Sequence, residues 1–159
     1  ALATLEEKYD VQIITQNVDD LHERAGSKNV LHLHGEIKKA RSTVSPYKTY
    51  DLQSWELNPG DKCEAGAQLR PHVVWFGEPV NMIEPAINIT SEADLFIVVG
   101  TSLVVYPAAG LLVYVRPENR KYFVDPKAFM VEGIQNLHVI EKKAGEGIPE
   151  LVEELMAVD

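Results

Sequence analysis

Val11-Gln12-Ile13-Ile14-Thr15-Gln16-Asn17-Val18-Asp19-Asp20-Leu21-His22 begins as a short apolar run and turns polar at Thr15. A second run, Val30-Leu31-His32-Leu33, leads straight into His34-Gly35-Glu36. Each run has the length of a buried strand and ends in polar residues. In open α/β sheets, ligands bind beyond the carboxyl ends of the strands. Two adjacent strand ends would present an amide (Asn17), a carboxylate (Asp19) and an imidazole (His34) to one crevice. An imidazole takes a proton near neutral pH, and the other two groups hold a polar ligand. The same residue types have a plainer use, because Asn and Asp after a strand often form turns or cap helices. That use is favoured for Asp20, and spacing alone leaves Asn17 and Asp19 open between the two.

Further along, Leu95-Phe96-Ile97-Val98-Val99 is the clearest buried parallel strand, and Gly100-Thr101-Ser102 follows it at once. A glycine and two hydroxyls after a buried strand suit phosphates or a ribose. Lys121 to Val124 and Leu137 to Ile140 read as two more strands. Asn81 to Ala93 reads as a helix with Pro85 near its start, as does Ala108 to Val115. Ile148 to Val158 is an amphipathic closing helix with the stripe Ile148, Leu151, Val152 and Leu155. Between the motifs, Ile37 to Arg70 is rich in Ser, Thr, Pro, Asp and Gly, with short strands expected near Ile37 to Ala40 and Tyr50 to Leu52. Tyr47, Tyr50, Leu52, Trp55 and Leu57 are the candidates for a small apolar core there. The fold expected is α/β, a mostly parallel Rossmann-like sheet (residues 1–36 and 71–159) with a small inserted lobe (37–70).

The 159 residues, 45% apolar and 25% charged, suit one globular domain. No apolar run reaches the ~18 residues of a membrane span. A net charge of -9 argues against a general nucleic-acid binder, which carries a basic face. The single cysteine, Cys63, forms no internal disulfide, which suits a reducing cytoplasm.

Thr15 to Gly26 and His34-Gly35-Glu36 resemble the sirtuin family of NAD-dependent protein lysine deacylases. Three more stretches agree with it in order: Leu69-Arg70-Pro71-His72-Val73-Val74-Trp75-Phe76-Gly77-Glu78, Val99 to Leu103, and Val105 to Ala109. The wording Arg70 to Glu78 is similar to the class III, bacterial-type branch. This resemblance implies removal of acetyl- or succinyl-type groups from protein lysines, with NAD consumed and nicotinamide and O-acyl-ADP-ribose released. It implies His34 as general base and Asn17 as the group that positions the reacting ribose or its water. It implies NAD contacts by Gln16, Asn17, Asp19, Gly100, Thr101, Ser102, Asp125 and Ala144. Val74, Phe76, Gly77, Glu78, Val104 and Val105 would flank the acyl-lysine peptide, where strand addition gives affinity through backbone bonds.

The chain also departs from the family pattern. The family's Gly-Ala-Gly phosphate loop is not among these 159 residues, so the expectation is a chain that lacks the N-terminal part of the NAD site. The family's two Cys-x-x-Cys pairs are reduced to Cys63, with Ala40-Arg41-Ser42-Thr43 where the first pair falls, so no structural zinc is expected. Phe123 stands where an asparagine near the adenosine ribose is usual. Two rivals follow: a non-catalytic module that binds acyl-lysine peptide or ADP-ribose, and a metal hydrolase built on His32, His34 and His72. For His32 the plainer reading is a satisfied strand histidine.

Overall fold

The computed structural model describes residues 1–101 and 108–158, and the side chains of residues 46, 108 and 109 are left out of that description. The elements in chain order are α1 (Leu2–Leu5), β1 (Ile13–Thr15), α2 (Leu21–Arg24), β2 (Val30–His32), β3 (Gly35–Ser42), β4 (Ser45–Asp51) and β5 (Leu69–Val73). Then come α3 (Ile83–Glu92), β6 (Leu95–Val99), a 3₁₀ helix (Ala108–Tyr114), β7 (Arg120–Val124), β8 (Leu137–Ile140) and α4 (Ala144–Ala157). The architecture is α/β and Rossmann-like, with parallel strands carrying helices between them.

The parallel strands fall into a pair, β1-β2, and a triplet in the order β6-β7-β8. β7 is the buried centre of the triplet: Lys121, Tyr122, Phe123 and Val124 are all buried. β6, expected as the most buried strand, has mostly half-buried residues, because one of its edges faces a cleft instead of a partner strand. On one face of the triplet α4 and α1 cover Tyr122 and Val124 through Leu5, Ile148, Leu151, Val152 and Leu155. On the other, Leu112, Ala128 and Leu137 surround Val98 and Phe123. Leu33, Ala86 and Leu111 form a third cluster that ties β2, α3 and the 3₁₀ helix together.

The closing helix begins at Ala144, four residues before the expected Ile148, so Pro149 lies inside it. Gly147 is what lets this first turn approach the sheet. A Cβ there would stand 2.7 Å from Val124 Cγ1 and 3.3 Å from Ile140 Cγ2.

An antiparallel sheet in the order β4-β3-β5 makes up the rest. Its aromatic residues do not form the expected small core: Tyr47 is 84% and Trp55 88% exposed. A three-stranded sheet with no helix between its strands has too little second layer to cover them. Trp75 is also exposed, because β5 stops at Val73 and the chain turns at Gly77 (φ +88°).

Candidate active site

The parallel register of β1 and β2, Ile13 on Val30 and Thr15 on His32, carries the two chains out of the sheet side by side. The Leu33 amide extends the pairing by donating to the Thr15 carbonyl at 2.9 Å. The turn after β1 is then held from several sides. His34 Nδ1 lies 3.0 Å from the Gln16 carbonyl, and His32 Nδ1 lies 3.0 Å from the Asn17 carbonyl. The Ile37 amide donates to the Val18 carbonyl at 2.8 Å, and the Asn17 amide to Thr15 Oγ1 at 3.1 Å. Gln16, Asn17 and His34 are thus one connected unit.

A carbonyl oxygen only accepts, so Nδ1 of His34 must carry the hydrogen in that contact. In the neutral ring, Nε2 then holds the free lone pair, which is the arrangement a general base needs. Gly35, next in the chain, has φ +83°, and a Cβ there would stand 2.0 Å from the His72 carbonyl oxygen. Only glycine lets β3 start this close to β5 directly behind His34.

Gln16 and Thr101 line a common cleft of about 90 Å³ with Ile14, Leu33 and Phe96, where β1 and β6 face each other. Gly100 turns the chain there at φ +58°, with its amide on the Val124 carbonyl at 3.0 Å. Ser102, Val104 and Val105 lie outside the described residues. Asp125 follows β7, and its Oδ1 accepts from the Lys127 amide at 2.8 Å, so it makes a turn. Ala144 is the first residue of α4. Both sit at the carboxyl edge of the triplet, after β7 and after β8.

Asp19 does not join Gln16. Its Oδ1 accepts from the Leu21 amide at 3.1 Å, the Asx-type turn its residue type favours. It lines a second cavity of about 210 Å³, with His32, Glu23, Glu36 and Lys38. Asp20 pairs with Lys38, whose hydrogen bond draws its carboxyl below the ordinary value.

On the far side of His34, its carbonyl accepts from the Val74 amide at 2.8 Å. The loop then exposes Phe76 completely. The Glu78 carboxylate is occupied within the loop: it takes Arg41 Nη2 at 2.8 Å, the Trp75 amide at 3.1 Å and the Arg70 guanidinium. The Arg70 hydrogen bond, with the Trp75 amide and the two arginine charges, lowers the Glu78 pKa to about 2. Nothing in the sequence pattern singles out Arg41. Its signal is weak, one of three basic residues in β3 beside Lys38 and Lys39.

The three histidines are not gathered as a ligand set among the described residues. Both nitrogens of His32 are engaged, by the Asn17 carbonyl and by Glu23 Oε1 at 2.8 Å. Among the described residues, no group of three His, Cys, Asp or Glu is placed to hold a metal ion. Cys63 Sγ lies 3.4 Å from Ser42 Oγ, and that contact leads the causes that lower its pKa.

Comparison with known proteins agrees with this geometry. The Sir2 family profile matches residues 1–107. An NAD-dependent protein deacylase of Bacteroides thetaiotaomicron is 48% identical over 94% of this chain and 66% of its own length. One of Helicobacter pylori is 47% identical over 98% of this chain and 68% of its own. Among solved structures, a Sir2 homolog–NAD complex has a TM-score of 0.81 at 40% identity, covering 97% of this chain and 62% of that one. A Sir2–p53 peptide–NAD+ complex has a TM-score of 0.74 at 35% identity, covering 99% and 68%. The chain spans about two thirds of the length of the curated relatives it matches. On these matches and on the folded Gln16–Asn17–His34 unit, the chain belongs to the Sir2 family.

Proposed function

We propose that this chain carries the His34 side of an NAD-dependent protein lysine deacylase site. The observation that carries the reading is the His34 Nδ1 contact with Gln16, which leaves Nε2 as the basic atom beside the strand-end turn. NAD, when bound, supplies the nicotinamide leaving group and the ribose to which the acyl group passes. The residues present fit part of that ligand. The amide of Gln16 and the hydroxyl of Thr101 rim a cleft at the carboxyl ends of two parallel strands, and Gly100 leaves open space where a side chain would stand.

In this reading His34 takes a proton at Nε2 from a hydroxyl. Gln16 and Asn17 orient the ribose, and Asp19 acts through its turn. Ser102, Asp125 and Ala144 complete the cofactor contacts. Val74, Phe76 and Gly77, with Val104 and Val105, flank an acyl-lysine peptide of acetyl or succinyl type, and Glu78 holds that loop in shape. Residues 37–70 act as a lobe apart from the nucleotide-binding part, without zinc. A cytoplasmic site of action fits the single thiol of Cys63. Among the described residues, no helix is long and apolar enough to cross a membrane.

The test is nicotinamide release from NAD in the presence of an acyl-lysine peptide, for wild type and His34→Ala. Release by the wild type and its loss in the variant is the expected result. Binding of peptide or ADP-ribose by the wild type without release would favour a non-catalytic module.

A further inference from the structure

The second cavity holds a buried group that the proposed chemistry does not use. His32 is 8% exposed, and each ring nitrogen faces an atom that can only accept: the Asn17 carbonyl at Nδ1 and the Glu23 carboxylate at Nε2. A neutral imidazole has one N–H and one lone pair, so it can serve only one of these acceptors and sets its lone pair against the other. An imidazolium serves both. His34 differs, because among the described residues no carboxylate faces its Nε2.

The charges around His32 favour the same form. Glu23 and His22 come from α2, Asp19 and Asp20 from the turn before it, Glu36, Lys38 and Lys39 from β3, Asp51 from β4 and His72 from β5. Lys38 is taken by Asp20, and Lys39 by Glu36 at 2.9 Å. Glu23 is left to His32.

We propose that His32 is a positioning residue held as an imidazolium, which pins the Asn17 carbonyl to α2 through Glu23 and so makes the shape of the Gln16–Asn17 turn depend on its proton. The idea rests on the proposed function only in calling that turn functional. The dependence itself is a property of the unliganded chain. Burial pushes the His32 pKa down, but the Glu23 and Asn17 hydrogen bonds and the Glu23 and Glu36 charges outweigh it, so the net direction is up.

Imidazole and backbone nitrogen NMR of the chain over a pH series tests this. The expected result is a His32 ring that loses its second ring proton only above the ordinary 6.5, with the Asn17 and Val18 amides moving at the same midpoint. Glu23→Gln, which keeps an acceptor but removes the charge, should shift both midpoints down together. His32→Gln should abolish the titration of those amides with the fold retained by circular dichroism. A His32 midpoint at or below 6.5, or Asn17 and Val18 amides that stay still while His32 titrates, would overturn the proposal. Adding NAD and acyl-lysine peptide to the same samples separates the two readings. Failure of nicotinamide release tells against the deacylase function, while the titration alone decides the role of His32.

Discussion

His34 holds its Nδ1 3.0 Å from the backbone carbonyl of Gln16, a residue 18 positions earlier in the chain. The contact fixes which ring nitrogen is basic, and it is made by backbone, so no side-chain substitution at Gln16 would remove it. Replacing His34 by alanine should therefore remove the base while leaving the turn's other bonds, from Ile37 and His32, in place. Loss of a general base commonly lowers turnover by ~10²–10⁴-fold. Nicotinamide release should fall on that scale with an unchanged circular dichroism spectrum. Release close to that of the wild type would mean that another group takes the proton.

The Glu23–His32 pair predicts a bounded pH window of stability. For Glu23, burial raises the pKa, but the His32 hydrogen bond and neighbouring donors bring it below the ordinary 4.5. A depressed carboxylate contributes stability above its unfolded value and loses it as pH falls through the folded one. His32 is raised above 6.5, so its contribution is full below that pH and fades as pH rises through its folded value. The pair's full contribution therefore spans about pH 4.5 to 6.5, and part of it persists above. The melting temperature of wild type should exceed that of Glu23→Gln most within this window. A difference that does not vary with pH would show that the pair is not charged.

Gly35 should not tolerate a side chain. A φ of +83° costs an L residue about 1–3 kcal/mol. The added Cβ would also meet the His72 carbonyl oxygen at 2.0 Å, and backbone on a paired strand cannot swing aside as a side chain can. Gly35→Ala should lower the denaturant midpoint by more than the strain alone implies. It should also disturb the His34 resonances, since β3 must separate from β5 next to that ring.

How much of this can be read from the sequence divides by physical range. The strands β1, β2, β6, β7 and β8 are legible because apolar runs of strand length are a local signal, and His34 because it follows one of them. Which strand lies at the centre is not legible. Leu95–Val99 is the more apolar run, yet Phe123 and Val124 are the more deeply buried, since lateral pairing is decided by segments far apart in sequence. Lys121 shows the same limit. A lysine in a strand reads as exposed, but here it is 1% exposed and its Nζ donates to the carbonyls of Arg116, Pro117 and Asn119. The Glu78 clamp escapes a sequence reading because Arg41 and Glu78 are 37 residues apart and meet only once β3 and β5 pair.

Phe76 and Glu78 sit two residues apart in one loop and should fail in opposite ways. Phe76 is fully exposed, so its removal costs the fold nothing that burial could supply. Surface changes of this kind stay within about ±0.5 kcal/mol. If the loop receives an acyl-lysine peptide, Phe76→Ala should raise KM for the peptide with the melting temperature unchanged. Glu78→Gln should do the reverse. It removes the charge that faces Arg41, which is buried, and leaves that guanidinium without its counter-charge. The melting temperature should fall, and the change in peptide KM should follow only from a loosened Trp75–Glu78 turn. Acid offers a check on the same clamp, because a carboxylate with a pKa of about 2 keeps part of its contribution below the ordinary carboxylate range. The wild-type advantage over Glu78→Gln should therefore be full above about pH 4.5, shrink progressively below it, and vanish only once pH has fallen past the Glu78 value of about 2. An advantage already lost by pH 4 would show that the arginines do not hold Glu78 as the geometry places them.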